Sequence, residues 1–213
     1  MSRKFLFLSG TGLIILSFAL AVILYQNTQS TFLGSQGQDV FERQGAPVKG
    51  PADARVTIVE FFDPACETCA DFYPFLKQLI DQYPGKVKVM MRYAPLHTGS
   101  DQVVPMLEAA HKQGKYWQAL ELLFNNQRRW ITGHTSQPMR ARGLLNGLAL
   151  DHAMLDADMS GAEVMSAVQE DIEDGQSLGI KATPEFFVNG KAMPSFGLSQ
   201  LKRLVKEAVE DAY

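Results

Sequence analysis

Two cysteines three positions apart, Cys66 and Cys69, stand where strand-forming sequence gives way to helix-forming sequence. Upstream, residues 55–62 (RVTIVEFF) are a β-branched and aromatic run of strand length, which Asp63-Pro64-Ala65 then breaks. Downstream, Phe72, Phe75, Leu76, Leu79 and Tyr83 recur at helical spacing. Pro74 falls inside that helix and predicts a kink, and Pro84-Gly85 ends it. Val87, Val89, Met91 and Tyr93 alternate with more polar neighbours as a second strand. A strand–helix–strand unit of this length implies a parallel pair with a right-handed crossover. The class is α/β.

From Asp101 to Leu178 the pattern is helical throughout, with candidate helices at 103–113, 115–130, 138–149, 151–158 and 161–178. No strand-like run interrupts them, so they read as a helical block inserted at about 100–178. The sheet resumes at 184–188 (PEFFV). Asn189-Gly190 suits a type I′ turn, which makes 184–193 a hairpin. A closing helix, Leu198 to Asp211, carries Leu201, Leu204, Val205 and Val209 on one face.

The chain ahead of this fold is of a different kind. Arg3 and Lys4 precede an uncharged stretch from Phe5 to Tyr25, and the next charged residue is Asp39. The length and charge asymmetry predict an N-terminal transmembrane helix over 1–25, with its start in the cytoplasm and the remainder outside. A cleaved signal peptide ending near Ala19-Leu20-Ala21 is the alternative, although Val22-Ile23-Leu24 prolongs the apolar run past that site. Either reading exports the domain to an oxidising compartment. Residues 26–50, rich in Gln, Gly, Ser and Thr, read as a linker with one short strand at most, and 51–213 as the folded domain. A net charge of -3 with scattered basic residues argues against a nucleic-acid partner.

The cysteine pair sits where chemistry is favoured. Unpaired N–H groups and the helix dipole stabilise an anion at a first helical turn, and the thiolate is the nucleophile of disulfide exchange. Cys66, at the tip, is expected to attack; Cys69, one turn in, is expected to be shielded and to resolve. A pair this close closes no long loop, so it contributes little as a structural staple. A zinc or copper site needs two more ligands, and His97, His111, His134 and His152 have no ligand-like spacing. No metal or other cofactor is expected. Two incidental core cysteines are the remaining alternative.

A second motif strengthens the redox reading. Residues 178–190 (LGIKATPEFFVNG) put a proline just before a strand, and with the cysteine pair the sequence resembles the thioredoxin superfamily. The resemblance implies that Thr183–Pro184 is a cis bond packed against the cysteines, where substrate backbone pairs; an ordinary turn proline is the alternative. The spacing of residues 59–62 (VEFF) from the cysteines, the helical insertion and the 178–190 ending narrow the resemblance to the DsbA-like branch, over roughly 50–212. That branch implies a thioredoxin-like fold and a dithiol oxidase acting on exported protein thiols. It needs no cofactor beyond the cysteines and is recycled by a DsbB-like, quinone-linked membrane reoxidase. A reductase or isomerase kept reduced by a membrane donor is the rival within the class. A redox-inactive chaperone or binding module is the rival outside it.

Glu60 interrupts the apolar strand six residues before Cys66, where family members often carry a buried acid; burial raises a carboxyl pKa, so Glu60 is expected to relay a proton to or from Cys69. The alternative is an edge glutamate facing water. One departure stands out: the branch's strong oxidant carries Pro-His between its cysteines, whereas this chain has Glu67-Thr68. An acid beside Cys66 repels the thiolate and predicts a weaker oxidant, unless solvent screens it.

Overall fold

A computed structural model of the chain describes residues 40–213. The expected membrane helix or signal, 1–25, and the first part of the 26–50 linker lie outside the described residues. Among the described residues no helix is long and apolar enough to cross a membrane.

Five strands form one sheet: β1 (Val48–Lys49), β2 (Val56–Phe62), β3 (Val87–Tyr93), β6 (Glu185–Val188) and β7 (Lys191–Ala192), in the order β1-β3-β2-β6-β7. β2 runs parallel to β3, from Val56 opposite Val87 to Phe62 opposite Tyr93, and antiparallel to β6. The crossover between β2 and β3 is helix α1 (Glu67–Gln82), which runs through Pro74 as one element. With a neighbour on each edge and cover on each face, every residue of β2 is buried, which is why its sequence is nearly unbroken in apolar character.

Alternation along β2 divides the core. Val56, Ile58 and Phe62 join a large cluster with Leu76 and Leu79 of α1 and with Leu201 and Val205 of the closing helix α8 (Leu198–Ala212). Val59 and Phe61 face the other way, against Phe41, Met90 and Phe187. Burying each such side chain contributes about 1.5–3 kcal/mol. Asn189 and Gly190, at φ 47 and 77, turn β6 into β7 in the hairpin that the sequence predicts.

The inserted block consists of α2 (Val104–Lys112), α3 (Tyr116–Asn125), α4 (Gln127–Trp130), α5 (Pro138–Leu145), α6 (His152–Met159) and α7 (Ala162–Ser177). Two expectations here are corrected. The helix expected over 115–130 breaks at Asn126, whose side-chain amide donates to the Leu122 carbonyl and competes with the helical ladder. The block is also not free of strands: β4 (Ile131–Thr132) and β5 (Thr135–Ser136) pair across Gly133 and His134, both at positive φ. Strands of two residues are too short to show a period.

Residues 40–50, expected to be linker with one short strand at most, do carry that strand but are also packed into the fold. β1 pairs with β3, and Phe41 and Arg43 are buried at 3% and 5% exposure. An ionic cluster holds this segment down. The Arg92 guanidinium donates to the carbonyls of Val40 and Phe41 and pairs with Asp171 and Asp174. Arg43 Nε donates to Asp171 at 2.7 Å, while the second Asp171 oxygen accepts from the Tyr93 N–H. These partners lie from 51 to 128 residues apart in sequence, beyond the reach of any local pattern.

Candidate active site

β2 ends at Phe62, and three residues turn the chain into α1. Asp63, fully buried, organises that turn: its carboxylate accepts from the Ala65 N–H at 2.8 Å, from the His97 N–H at 2.7 Å and from His97 Nδ1 at 2.9 Å. Its carbonyl accepts from the Cys66 N–H. Cys66 therefore falls at the N-cap of α1, where its sulfur accepts from the Cys69 N–H at 3.3 Å.

The same sulfur lies 3.2 Å from the carbonyl oxygen of Thr183, and the Thr183–Pro184 bond is cis. The fold thus brings the two sequence motifs, 117 residues apart, into contact. Cys66 is 5% exposed and Cys69 wholly buried. Glu67 is exposed and Thr68 half-buried, and both line a cavity of about 730 Å³ over Cys66. Its other walls come from Leu96-His97, from Gln127 and Arg128, from the β4–β5 hairpin and from Lys181 to Thr183.

The two thiols are driven apart electrostatically. Hydrogen bonding from the Cys69 thiol pulls Cys66 down to about 6, against the cost of burial and with help from Thr183, the Cys69 N–H and charge on His97. Burial pushes Cys69 well above its usual range, reinforced by its bond to Cys66 and by charge on Glu60.

Glu60 is wholly buried on the α1 side of the central strand, so the edge position facing water does not hold. Neither of its carboxylate oxygens has a hydrogen-bond partner. Burial, then the charge of Cys66, raises its pKa well above the usual carboxylate value. Among the described residues no cluster of three or more metal-ligating side chains occurs.

Residues 42–207 match the family model described as Thioredoxin. Disulfide bond formation protein D of Bacillus subtilis is 30% identical over 193 residues, covering 82% of this chain and 84% of its own. The chain belongs to the DsbA-like branch of the thioredoxin superfamily. A thioredoxin-like oxidoreductase from Silicibacter pomeroyi superposes with a TM-score of 0.70 at 30% identity, over 83% of this chain and 99% of that one. The Na(+)/H(+) antiporter NhaA of Herminiimonas arsenicoxydans is 29% identical over 146 residues, and the match spans only 22% of that longer protein.

Within this DsbA-like domain three site residues escaped the sequence reading. Asp63 read only as a strand breaker, His97 only as a histidine without metal spacing, and Gln127 as one position on a helix. Gln127 Nε2 donates to the carbonyls of Pro64 and Cys66, both at 3.0 Å, so the helical insertion clamps the active-site turn. His97, outside the cysteine motif, lowers the pKa of the Cys66 thiol when it carries charge, a part that Glu67-Thr68 does not play.

The pH profile of Cys66 alkylation in the reduced protein tests this assignment. The rate should climb with pH and level off above about 6. His97→Asn should move that midpoint upward, since it removes a ring whose charge lowers the pKa of the thiol. A wild-type midpoint near 9.0, the ordinary value for the thiol, would contradict it.

Proposed function

We propose that the protein is a dithiol oxidase of exported proteins, working through Cys66 and Cys69. The observation that carries this reading is the asymmetry of the pair: Cys66 ionises at about 6 beneath an open cavity, while Cys69 is sealed behind it and held protonated. Attack begins when a substrate thiolate forms a bond to the Cys66 sulfur of the oxidised pair. The Cys66–Cys69 bond breaks, and its electron pair leaves on Cys69, which takes up a proton. A second substrate thiol loses its proton and attacks the substrate sulfur of the mixed disulfide, releasing Cys66 as thiolate. Counted from two substrate thiols, the products are a substrate disulfide and reduced enzyme carrying the Cys66 thiolate and the Cys69 thiol, with one proton released.

The direction follows from which form is stabilised. Holding Cys66 at about 6 rather than 9.0 stabilises the folded reduced protein; this contribution is complete above pH 9.0 and is lost as pH falls through about 6. A stabilised dithiol makes the disulfide the better oxidant. Glu67 opposes this from the first turn of α1, although its exposure to solvent weakens the effect. A potential more negative than about -120 mV, that of the branch's strong oxidant, is therefore expected. In this reading the domain lies on the extracytoplasmic side of the membrane, and a DsbB-like membrane reoxidase restores the disulfide. Thr183 and Pro184 present backbone to the substrate, and Glu60 passes its proton to Cys69 as that sulfur leaves.

Oxidation of a two-cysteine peptide by the purified oxidised protein tests the chemistry, and alkylation trapping in cells tests the direction. A mostly oxidised pair in cells supports the oxidase; a mostly reduced one replaces it with a reductase or isomerase. In the same peptide assay Glu60→Gln should slow the release of Cys69 at least tenfold while folding is retained. An unchanged rate would remove Glu60 from the mechanism.

A further inference from the structure

The cavity over Cys66 carries a charge that the rest of the chain does not predict. Arg128 enters it from α4 and Lys181 from the loop before Pro184, on separate walls, against Glu67 as the one acid. Both cations are exposed, and neither joins an ion pair among the described residues. His97 and His134 line the same space and add positive charge when protonated, with His97 fixed by its bond to Asp63. The chain as a whole carries a net charge of -3. A locally positive cleft in a negative molecule is a selective feature, since a charged recess with low-dielectric walls focuses the field on what enters it.

We propose that this cavity selects substrate cysteines flanked by aspartate or glutamate. The proposal rests on the exchange reading above and specifies its substrate class. Arg128 and Lys181 line the cavity that the substrate enters, so they are placed to meet carboxylates on residues neighbouring the substrate cysteine. Charge on His97 acts on the Cys66 sulfur itself, whose pKa it lowers. Complementary charge of this kind raises association rates and suppresses the wrong partners more than it adds affinity.

The test uses three two-cysteine peptides of equal length whose flanking residues are acidic, neutral or basic. Each is oxidised by the full protein at pH 7, and each rate is divided by that peptide's rate with a small neutral disulfide. This removes the effect of flanking charge on the peptide thiol itself. The acidic peptide should react about tenfold faster than the basic one at low ionic strength, and the gap should narrow in salt. Arg128→Glu combined with Lys181→Glu should invert the acidic-to-basic ratio. Arg129→Glu, one residue outside the cavity lining, should leave it in place.

Equal normalised rates, or a faster basic peptide, would overturn the proposal. So would an Arg129→Glu effect as large as that of the cavity pair, because net charge and not the cavity would then be responsible. Oxidation of none of the three peptides would overturn the exchange reading, and the selectivity with it.

Discussion

Cys69→Ala is expected to convert the protein from a catalyst into a trap, with mixed disulfides between Cys66 and substrate surviving isolation under non-reducing conditions. The expectation follows from the division of labour at the pair. Cys66 retains its place at the N-cap of α1 and its cavity, so a reactive substrate disulfide can still join it. The buried sulfur that would release the substrate from within is gone. Turnover should fall by several orders of magnitude, and the trapped species should identify the substrates directly. Cys66→Ser should form no such species. Equal trapping by both variants would mean that the attacking and resolving roles are not as assigned. Part of the Cys66 depression comes from the Cys69 thiol, so the alanine variant should also show a Cys66 midpoint above about 6.

Asp171→Ala should lower stability by about 3–5 kcal/mol, the usual consequence of removing one partner from a buried ion pair. For a domain of this size that is a fall in Tm on the order of 10 °C. Asp171 and Arg92 are fully buried and Arg43 nearly so, and the loss would leave Arg92 with Asp174 and Arg43 with only the longer 3.7 Å pair to Glu108. Chemical denaturation measures the change. Removing the exposed pair Lys206–Glu210 on α8 should leave the midpoint where it is. A loss below 1 kcal/mol for Asp171→Ala would mean that water reaches the cluster.

What the sequence revealed and what it hid divide along the distance over which each feature is determined. The strand, the cysteine turn and α1 follow from periodicities within about thirty residues, and the structure repeats them. Glu60 announced itself as a charge inside an apolar run, and its burial follows from β2 being the central strand. Thr183–Pro184 became legible only through resemblance, because nothing local demands a cis bond there. Asp63, His97 and Gln127 stayed silent for another reason. Each acts on a group whose neighbour in space is a stranger in sequence: His97 reaches Asp63 across 34 residues, and Gln127 reaches Pro64 across 63. The β4–β5 hairpin, with two residues in each strand, is below the length at which alternation can be recognised.

The ionic cluster under β3 also decides how the domain takes load. Arg92 grips the carbonyls of Val40 and Phe41, and Arg43 is bound to the same aspartate. A pull on the chain ahead of Val40 is therefore delivered to a rivet joining β3 to α7, on the face of the sheet opposite α1. A force entering along the chain ahead of Val40 reaches that joint before it reaches the cysteine turn.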